Sequence, residues 1–174
     1  MTIMPKEKTN KYQKTFSGKL AISNSNLQKV LLFYLFECPV SGKSVRGKTF
    51  EEYGISGNSA FSRLKKELLV SATCSLRKNY KPSVKADLQA EISLMQVIEP
   101  PNEYCVFLKY DEKRVMESLF SAIRNAFAHG GFCVRRYDGV RIYYLSNFDG
   151  YLKAEMALHE ETLLSWIDCV KGFT

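Results

Sequence analysis

Residues 116–145 have the sequence MESLFSAIRNAFAHGGFCVRRYDGVRIYYL, which predicts a helix, the end of that helix and a hairpin in one run. Apolar side chains recur at steps of three and four residues through its first part, namely at Met116, Leu119, Phe120, Ile123 and Phe127. This spacing predicts an amphipathic helix over residues 112–129, with Asp111 as its N-cap. Gly130-Gly131 predicts its end, because glycine adopts the left-handed conformation beyond a helix C-terminus without strain.

The second part of this run predicts a β-hairpin at residues 132–145. Two β-rich segments, FCVRRY and VRIYYL, flank Asp138-Gly139, and a two-residue Asp-Gly loop is typical of a tight turn between strands. Such a turn pairs Arg136 with Arg141. Two like charges directly opposite each other are unfavourable unless solvent or an anion neutralises them.

The remaining segments predict mostly helix. The predicted helical ranges are 27–37, capped by Asn26; 60–70, capped by Asn58 or Ser59; 84–98; and a last helix within 151–170. Residues 71–83 are expected to be irregular, and EYCVFLKY at 103–110 is either an extended approach or a strand. The expected fold is mainly α, a helical bundle over residues 26–174 with one hairpin before the last helix. Residues 1–25, polar and basic, are expected to form a mobile arm.

Composition favours a cytosolic protein of ordinary globular type. Of its 174 residues 45% are apolar and 25% are charged, and neither a membrane-spanning run nor a secretory leader is apparent. The five cysteines form no CxxC or CxxxH pattern, so reduced, buried thiols are expected and no disulfide framework, metal site or cofactor is predicted. Residues 1–87 carry 16 Lys and Arg against 6 Asp and Glu. This basic half would attract a polyanion, or it is only a solubilising arm with its loops.

One segment superficially favours a nucleotide site. Residues 41–44 have the sequence SGKS, which resembles the end of a phosphate-binding loop. Such a loop requires a glycine five positions before Gly42, and Glu37 stands there within the preceding predicted helix. A nucleoside triphosphate site is therefore not predicted.

Three polar residues, Arg124, Asn125 and His129, occupy the C-terminal part of the predicted helix 112–129. Asn125 and His129 are four residues apart and share a face, while Arg124 lies about 100° around the axis. The helix is otherwise apolar there, so these side chains require polar partners. They are the candidate catalytic residues.

The spacing Arg-Asn-x-x-x-His at a helix end, followed by glycine, a hairpin and a helix, resembles the small prokaryotic ribonucleases of the HEPN superfamily over about residues 111–172. The resemblance implies a helical-bundle domain that dimerises, places two copies of the motif across one cleft and cuts RNA without a metal. It also implies a toxin or antiviral defence role, with an antitoxin or regulatory protein as a possible partner. Many toxin members carry a modified tyrosine two residues after the motif histidine. Here that position is Gly131, which argues against regulation by that route.

RNA cleavage by attack of its own 2′-OH requires a base, an acid and positive charge beside the phosphate. His129 would be the acid or base, Arg124 would neutralise the phosphate, and Asn125 would orient either one. Because one chain has a single motif histidine, a symmetric dimer is the simplest way to supply two. The alternative is that Arg124 and His129 only cap the helix end by bonding its last carbonyls.

Further alternatives remain open at this stage. Arg136 and Arg141 are either RNA phosphate contacts, with Tyr143 and Tyr144 stacking on bases, or a solvated hairpin tip. The whole protein is either a nuclease or a non-catalytic dimer that binds RNA, a nucleotide or a protein. A DNA-binding protein is less favoured, since no basic recognition helix stands out. The second histidine, His159, is expected on the exposed side of the last helix.

Overall fold

The computed structural model describes residues 24–40 and 48–174. The α-helices within these ranges are α1 Ser25–Leu32, α2 Gly57–Ser71, α3 Cys74–Lys78, α4 Leu88–Met95, α5 Val115–Ala128 and α6 Glu160–Lys171. α1 continues into a π-helical turn at Phe33–Glu37, and a 3-10 turn lies at Glu51–Tyr53. The SGKS segment at 41–44, and all but the last two residues of the predicted arm 1–25, lie outside the described residues.

One mixed sheet runs through the middle of the described chain. Its strands are β1 Tyr80–Ser83, β2 Tyr104–Leu108, β3 Phe132–Tyr137, β4 Val140–Asp149 and β5 Tyr151–His159, in the spatial order β1-β2-β5-β4-β3. β1 pairs with β2 in parallel, and the other neighbours are antiparallel. The prediction of a mainly α helical bundle with one hairpin is therefore wrong. The fold is α/β, with helices on both faces of a five-stranded sheet.

The predicted hairpin is present as β3 and β4. Asp138 and Gly139 both have positive φ, 47° and 84°, as a two-residue turn of this kind requires. The register pairs Arg136 with Arg141, as predicted. β4 extends to Asp149, beyond the predicted end at residue 145, because its second edge pairs with β5.

The strand β5 replaces the first part of the predicted last helix. Its sequence YLKAEMALH is rich in helix-forming residues, but Ala154, Met156 and Leu158 alternate and all lie in the main core. Hydrogen bonding to β2 on one side and β4 on the other outweighs the local helix preference. Helix therefore begins only at Glu160.

Residues 71–83, expected to be irregular, contain α3 and β1. The strand alternative for 103–110 is the one observed, since β2 lies there and all five of its residues are buried. The predicted caps also move: α1 begins after Asn24, α2 after Ser56 and α5 after Arg114. No helix in the described ranges is long and apolar enough to cross a bilayer.

The main core lies between one sheet face and the helices α1, α2, α5 and α6. Trp166 of α6 is fully buried, and its Nε1 donates to the carbonyl oxygen of Leu68 at 3.1 Å. Tyr34 stacks on Phe120 and Phe127 with ring centroids 6.3 and 5.7 Å apart. Burying each such side chain contributes about 1.5–3 kcal/mol, so α5 is held firmly against the sheet.

The second sheet face carries a smaller core. Leu88, Ile92 and Met95 of α4 pack there against β2 and its neighbours. The packing of α4 is mainly on β1, β2 and β5. The β3–β4 end of this face therefore lies beyond the helix, and β3 forms the sheet edge in the described structure.

Candidate functional site

The candidate site lies at the C-terminal end of α5. Gly130 has a φ of +69°, and its N–H donates to the carbonyl oxygen of Phe127 at 3.3 Å. The N–H of Gly131 donates to the carbonyl oxygen of Ala126 at 2.8 Å. These two bonds form a Schellman motif, with His129 as the C-cap. The helix thus ends where the sequence predicted, and its last turn presents the candidate catalytic residues.

Arg124, Asn125 and His129 do lie together at this helix end. Arg124 and Asn125 are half-buried, and His129 is exposed. Arg124 Nη1 donates to Asn125 Oδ1 at 3.2 Å, so the Asn125 amide orients the guanidinium rather than His129. The Schellman bonds of the glycine N–H groups already satisfy the carbonyls of Ala126 and Phe127. These two carbonyls therefore need no cap from the Arg124 or His129 side chain.

Two titratable groups, Cys38 and Asp149, lie near this helix end. Burial raises the pKa of the Cys38 thiol, while the nearby positive charge of Arg124 acts in the opposite direction. The pKa of Asp149 is lowered, first by its hydrogen bond to Lys153 at 2.5 Å and less by the charge of His129. Cys38 therefore lies near the guanidinium of Arg124, and Asp149, the last residue of β4, lies near the imidazole of His129.

Gly131 joins the helix end directly to the sheet. Its carbonyl oxygen accepts a hydrogen bond from Ser146 N at 2.7 Å. A Cβ at Gly131 would lie 2.1 Å from the carbonyl oxygen of Ser146, far inside van der Waals contact. No side chain fits there without movement of the backbone. The tyrosine that many HEPN toxins carry at this position is thus absent from the sequence and sterically excluded by this backbone.

Arg141 and Tyr143 are positioned by a buried carboxylate, whereas Arg136 is exposed. Glu160, only 7% exposed, accepts hydrogen bonds from Arg141 Nη1 at 3.1 and 3.3 Å and from Tyr143 Oη at 3.0 Å. Asn26 Nδ2 is a further donor to it at 3.0 Å. Tyr143 itself is fully buried, and burial followed by the Glu160 charge raises its pKa. Tyr143 is therefore a core residue in this structure and does not present its ring to a base.

Arg136 and Arg141 line a groove of about 520 Å³. The other lining residues are Asn24, Ser25, Asn26, Val134 and Arg135. We call this set of seven residues the basic groove. Sequence reasoning missed the first turn of α1 as a wall of the groove, and it missed Glu160 as the carboxylate that links Asn26 to Arg141. No local pattern could find them, because strand pairing and helix packing bring them together across more than 130 positions of sequence.

A second polar cluster surrounds Glu103, which is fully buried. Its carboxylate accepts hydrogen bonds from Thr73 Oγ1 and from the backbone N–H of His159, each at 2.6 Å. His159 Nε2 lies 2.6 Å from the carbonyl oxygen of Pro101. The expected exposure of His159 is therefore wrong: it is half-buried at the end of β5, and its ring is engaged with backbone. This cluster ties β2, β5 and α3 together.

Within residues 24–40 and 48–174, no group of three or more His, Cys, Asp or Glu side chains is placed to hold a metal ion. Comparison of the chain with protein-family models, with curated proteins and with solved structures gives no match. The function is therefore argued from the side chains themselves.

Proposed function

We propose that this protein is a metal-independent endoribonuclease that acts as a homodimer. The observation that carries the proposal is the grouping of Arg124, Asn125 and His129 on the last turn of α5. A cation, an amide that holds it and an exposed imidazole are a suitable set for phosphodiester chemistry. The motif's likeness to HEPN nucleases adds support, while the helical bundle implied by that likeness is not part of the proposal.

In the proposed reaction a base removes the proton of a ribose 2′-OH, and the 2′-oxygen attacks the adjacent phosphorus. The P–O5′ bond breaks, and an acid protonates the departing 5′-oxygen. The products are a 2′,3′-cyclic phosphate and a 5′-OH end. His129 serves as the base or the acid, and Arg124, oriented by Asn125, neutralises the charge that develops on the phosphate.

The proposed dimer supplies the second histidine. Each chain has one imidazole in the motif, and base and acid act on opposite sides of the phosphate. A twofold axis near the end of α5 would bring two copies of His129 and Arg124 to one phosphate. The exposure of His129 is compatible with this, because a residue that must meet a second copy has to be accessible in the single chain.

The test is cleavage of end-labelled single-stranded RNA in the presence of EDTA. We expect the wild type to cut, H129A to lose about 10²- to 10⁴-fold in rate as an acid or base is removed, and R124A to lose about 10²- to 10³-fold as phosphate stabilisation is removed. K66A, at an exposed position on α2, is the control for loss of a surface cation. RNA with 2′-deoxyribose at the cut position should resist cleavage. Equal rates for wild type and H129A would contradict the proposal.

The dimer is tested separately by sedimentation equilibrium. We expect a dimer at the concentrations where cleavage occurs. A fully active monomer would refute the composite site, since one chain has a single motif imidazole.

The alternative function is a non-catalytic dimer that binds RNA or a nucleotide, or serves as a partner-binding module. The basic groove favours this alternative, because it offers phosphate contacts away from His129. RNA binding with unchanged affinity in H129A, and no cleavage by any variant, would select it.

A toxin or antiviral defence role in the cytoplasm, controlled by an antitoxin or another regulatory protein, belongs to the same proposal. Induced expression of the wild type should arrest growth, and induced expression of H129A should not. Growth arrest by both proteins would separate toxicity from His129.

A further inference from the structure

We infer that the basic groove binds the phosphodiester backbone of single-stranded RNA and holds the strand that leads to His129. This inference rests on the proposed function for its direction, but its binding step can be measured independently of cleavage. The groove lies at the end of β3 that is farther from α5, between the hairpin and the first turn of α1.

The charge of the groove is the first reason. Two guanidinium groups, those of Arg136 and Arg141, lie opposite each other on the same face of the hairpin and line the groove, and Glu160 is the carboxylate that pairs with Arg141. Among the described residues no carboxylate forms an ion pair with Arg136, which is exposed. The groove therefore keeps an excess of positive charge, and a phosphate is the complementary ligand.

The rigidity of the groove is the second reason. Glu160 fixes Arg141 through two contacts to Nη1 and also holds Asn26 on the opposite wall. Glu160 thus joins α1, β4 and α6 at one point. Arg141 is a positioned cation rather than a mobile surface side chain, which lowers the entropy lost when it binds a phosphate.

The helix α1 contributes a wall and not a donor set. Asn24 Oδ1 accepts hydrogen bonds from the N–H groups of Asn26 and Leu27 at 3.0 and 3.1 Å. These amides are already satisfied. The positive end of the helix still favours an anion nearby, but the guanidinium groups carry the recognition.

The path to His129 follows the edge strand. Phe132, Val134 and Arg136 share one face of β3, and Phe132 packs on Phe127 of α5 with ring centroids 5.0 Å apart. Arg136 is four residues beyond Phe132, about 13 Å along the strand. At about 3.4 Å per stacked nucleotide this distance corresponds to about four nucleotides. A strand held in the groove can thus reach the helix end.

The test measures binding of a fluorescent 12-nucleotide single-stranded RNA by anisotropy, with H129A as the parent protein so that the RNA stays intact. Removing one phosphate contact lowers the slope of log K against log salt by about 0.7, or about fivefold in affinity at 0.1 M salt. We expect this fivefold loss of affinity, with the lower salt slope, when R136Q is added to H129A. K66Q in the same parent removes the same charge elsewhere and should change the affinity less than twofold. Thermal melts confirm that both variants stay folded.

The outcomes separate the two proposals. If R136Q and K66Q bind alike, with the same salt slope, the groove is not an RNA site, whatever the cleavage assay shows. If R136Q weakens binding but the wild type does not cut RNA, the groove inference stands and the nuclease proposal fails. Equal loss of affinity for duplex DNA in R136Q would overturn the assignment to single-stranded RNA and leave a general polyanion site.

Discussion

Replacing Gly131 with alanine would put a methyl group 2.1 Å from the carbonyl oxygen of Ser146. An ordinary contact needs about 3.5 Å, so the backbone must move by more than about an ångström. The atom in the way is backbone within β4, and no side-chain rotation can relieve the clash. The start of β3 must therefore separate from β4, or the helix end must rotate.

Either movement breaks hydrogen bonds. The N–H of Gly131 bonds to Ala126 O at 2.8 Å, and its carbonyl accepts from Ser146 N at 2.7 Å. Each bond contributes about 1 kcal/mol net, and leaving its partly buried groups unpaired adds more. We expect Gly131→Ala to lower the free energy of unfolding by about 2–4 kcal/mol. For a chain of this size that is a Tm lower by roughly 5–15 °C.

Gly130→Ala is the matched control. Gly130 has a φ of +69°, but no atom lies within 4 Å of a Cβ built there. Only the left-handed backbone opposes the substitution, at a cost of about 1 kcal/mol. Urea denaturation followed by circular dichroism measures both variants. A loss for Gly131→Ala no larger than that for Gly130→Ala would refute the close contact between the helix end and β4.

Three further predictions concern single side chains. Glu160→Ala should lower the free energy of unfolding in urea by about 2–3 kcal/mol, because it leaves the hydrogen-bond donors around this carboxylate, which is 7% exposed, without an acceptor. The control Glu161→Ala, at an exposed position, should change it by less than about 0.5 kcal/mol. Burial raises the pKa of Tyr53 to about 12, so the stability that its neutral phenol contributes is complete below pH 10 and is lost as the pH rises from 10 through 12. A Tyr53→Phe variant that loses as much stability as the wild type over this pH range would contradict this. Alkylation of the native protein, read by mass spectrometry, should modify exposed Cys74 first and buried Cys38 only on unfolding, and early labelling of Cys38 would contradict the described packing.

The sequence alone could predict those elements whose signals are local. The three- and four-residue spacing through Phe120 and Phe127, the glycine pair after His129 and the Asp138-Gly139 turn each act over a few residues, and each element is present. The grouping of Arg124, Asn125 and His129 follows from helix geometry alone. Interactions between residues close in sequence therefore suffice to predict which side chains meet at the candidate site.

The sheet could not be predicted in the same way. β1, β2 and β5 are stabilised by pairing between segments far apart in the chain, such as Tyr80 with Cys105 and Cys105 with Met156. The segment 151–159 has helix-forming composition, and only the alternation of Ala154 and Met156 indicated a strand. Because the sequence does not show which strands pair with this segment, its helix-forming composition outweighed the alternation that favours a strand. The α/β fold was therefore not predicted.

Buried polar residues were missed for a related reason. Glu160 and Glu103 are acidic residues that would ordinarily be exposed, yet both accept several hydrogen bonds inside the fold. Their partners come from elements distant in sequence, including Asn26 and Thr73. A buried carboxylate is stable only when such donors converge on it, and that convergence is a property of the tertiary structure.

The edge position of β3 restricts how two copies can associate. An exposed edge strand is ordinarily a template for extending a sheet into a neighbouring molecule. Here Arg135 and Arg136 stand on that edge in the described structure, one on each face of the sheet, so pairing of two β3 strands would place arginines on both faces of the new seam. Charge repulsion thus protects the protein from edge-to-edge aggregation.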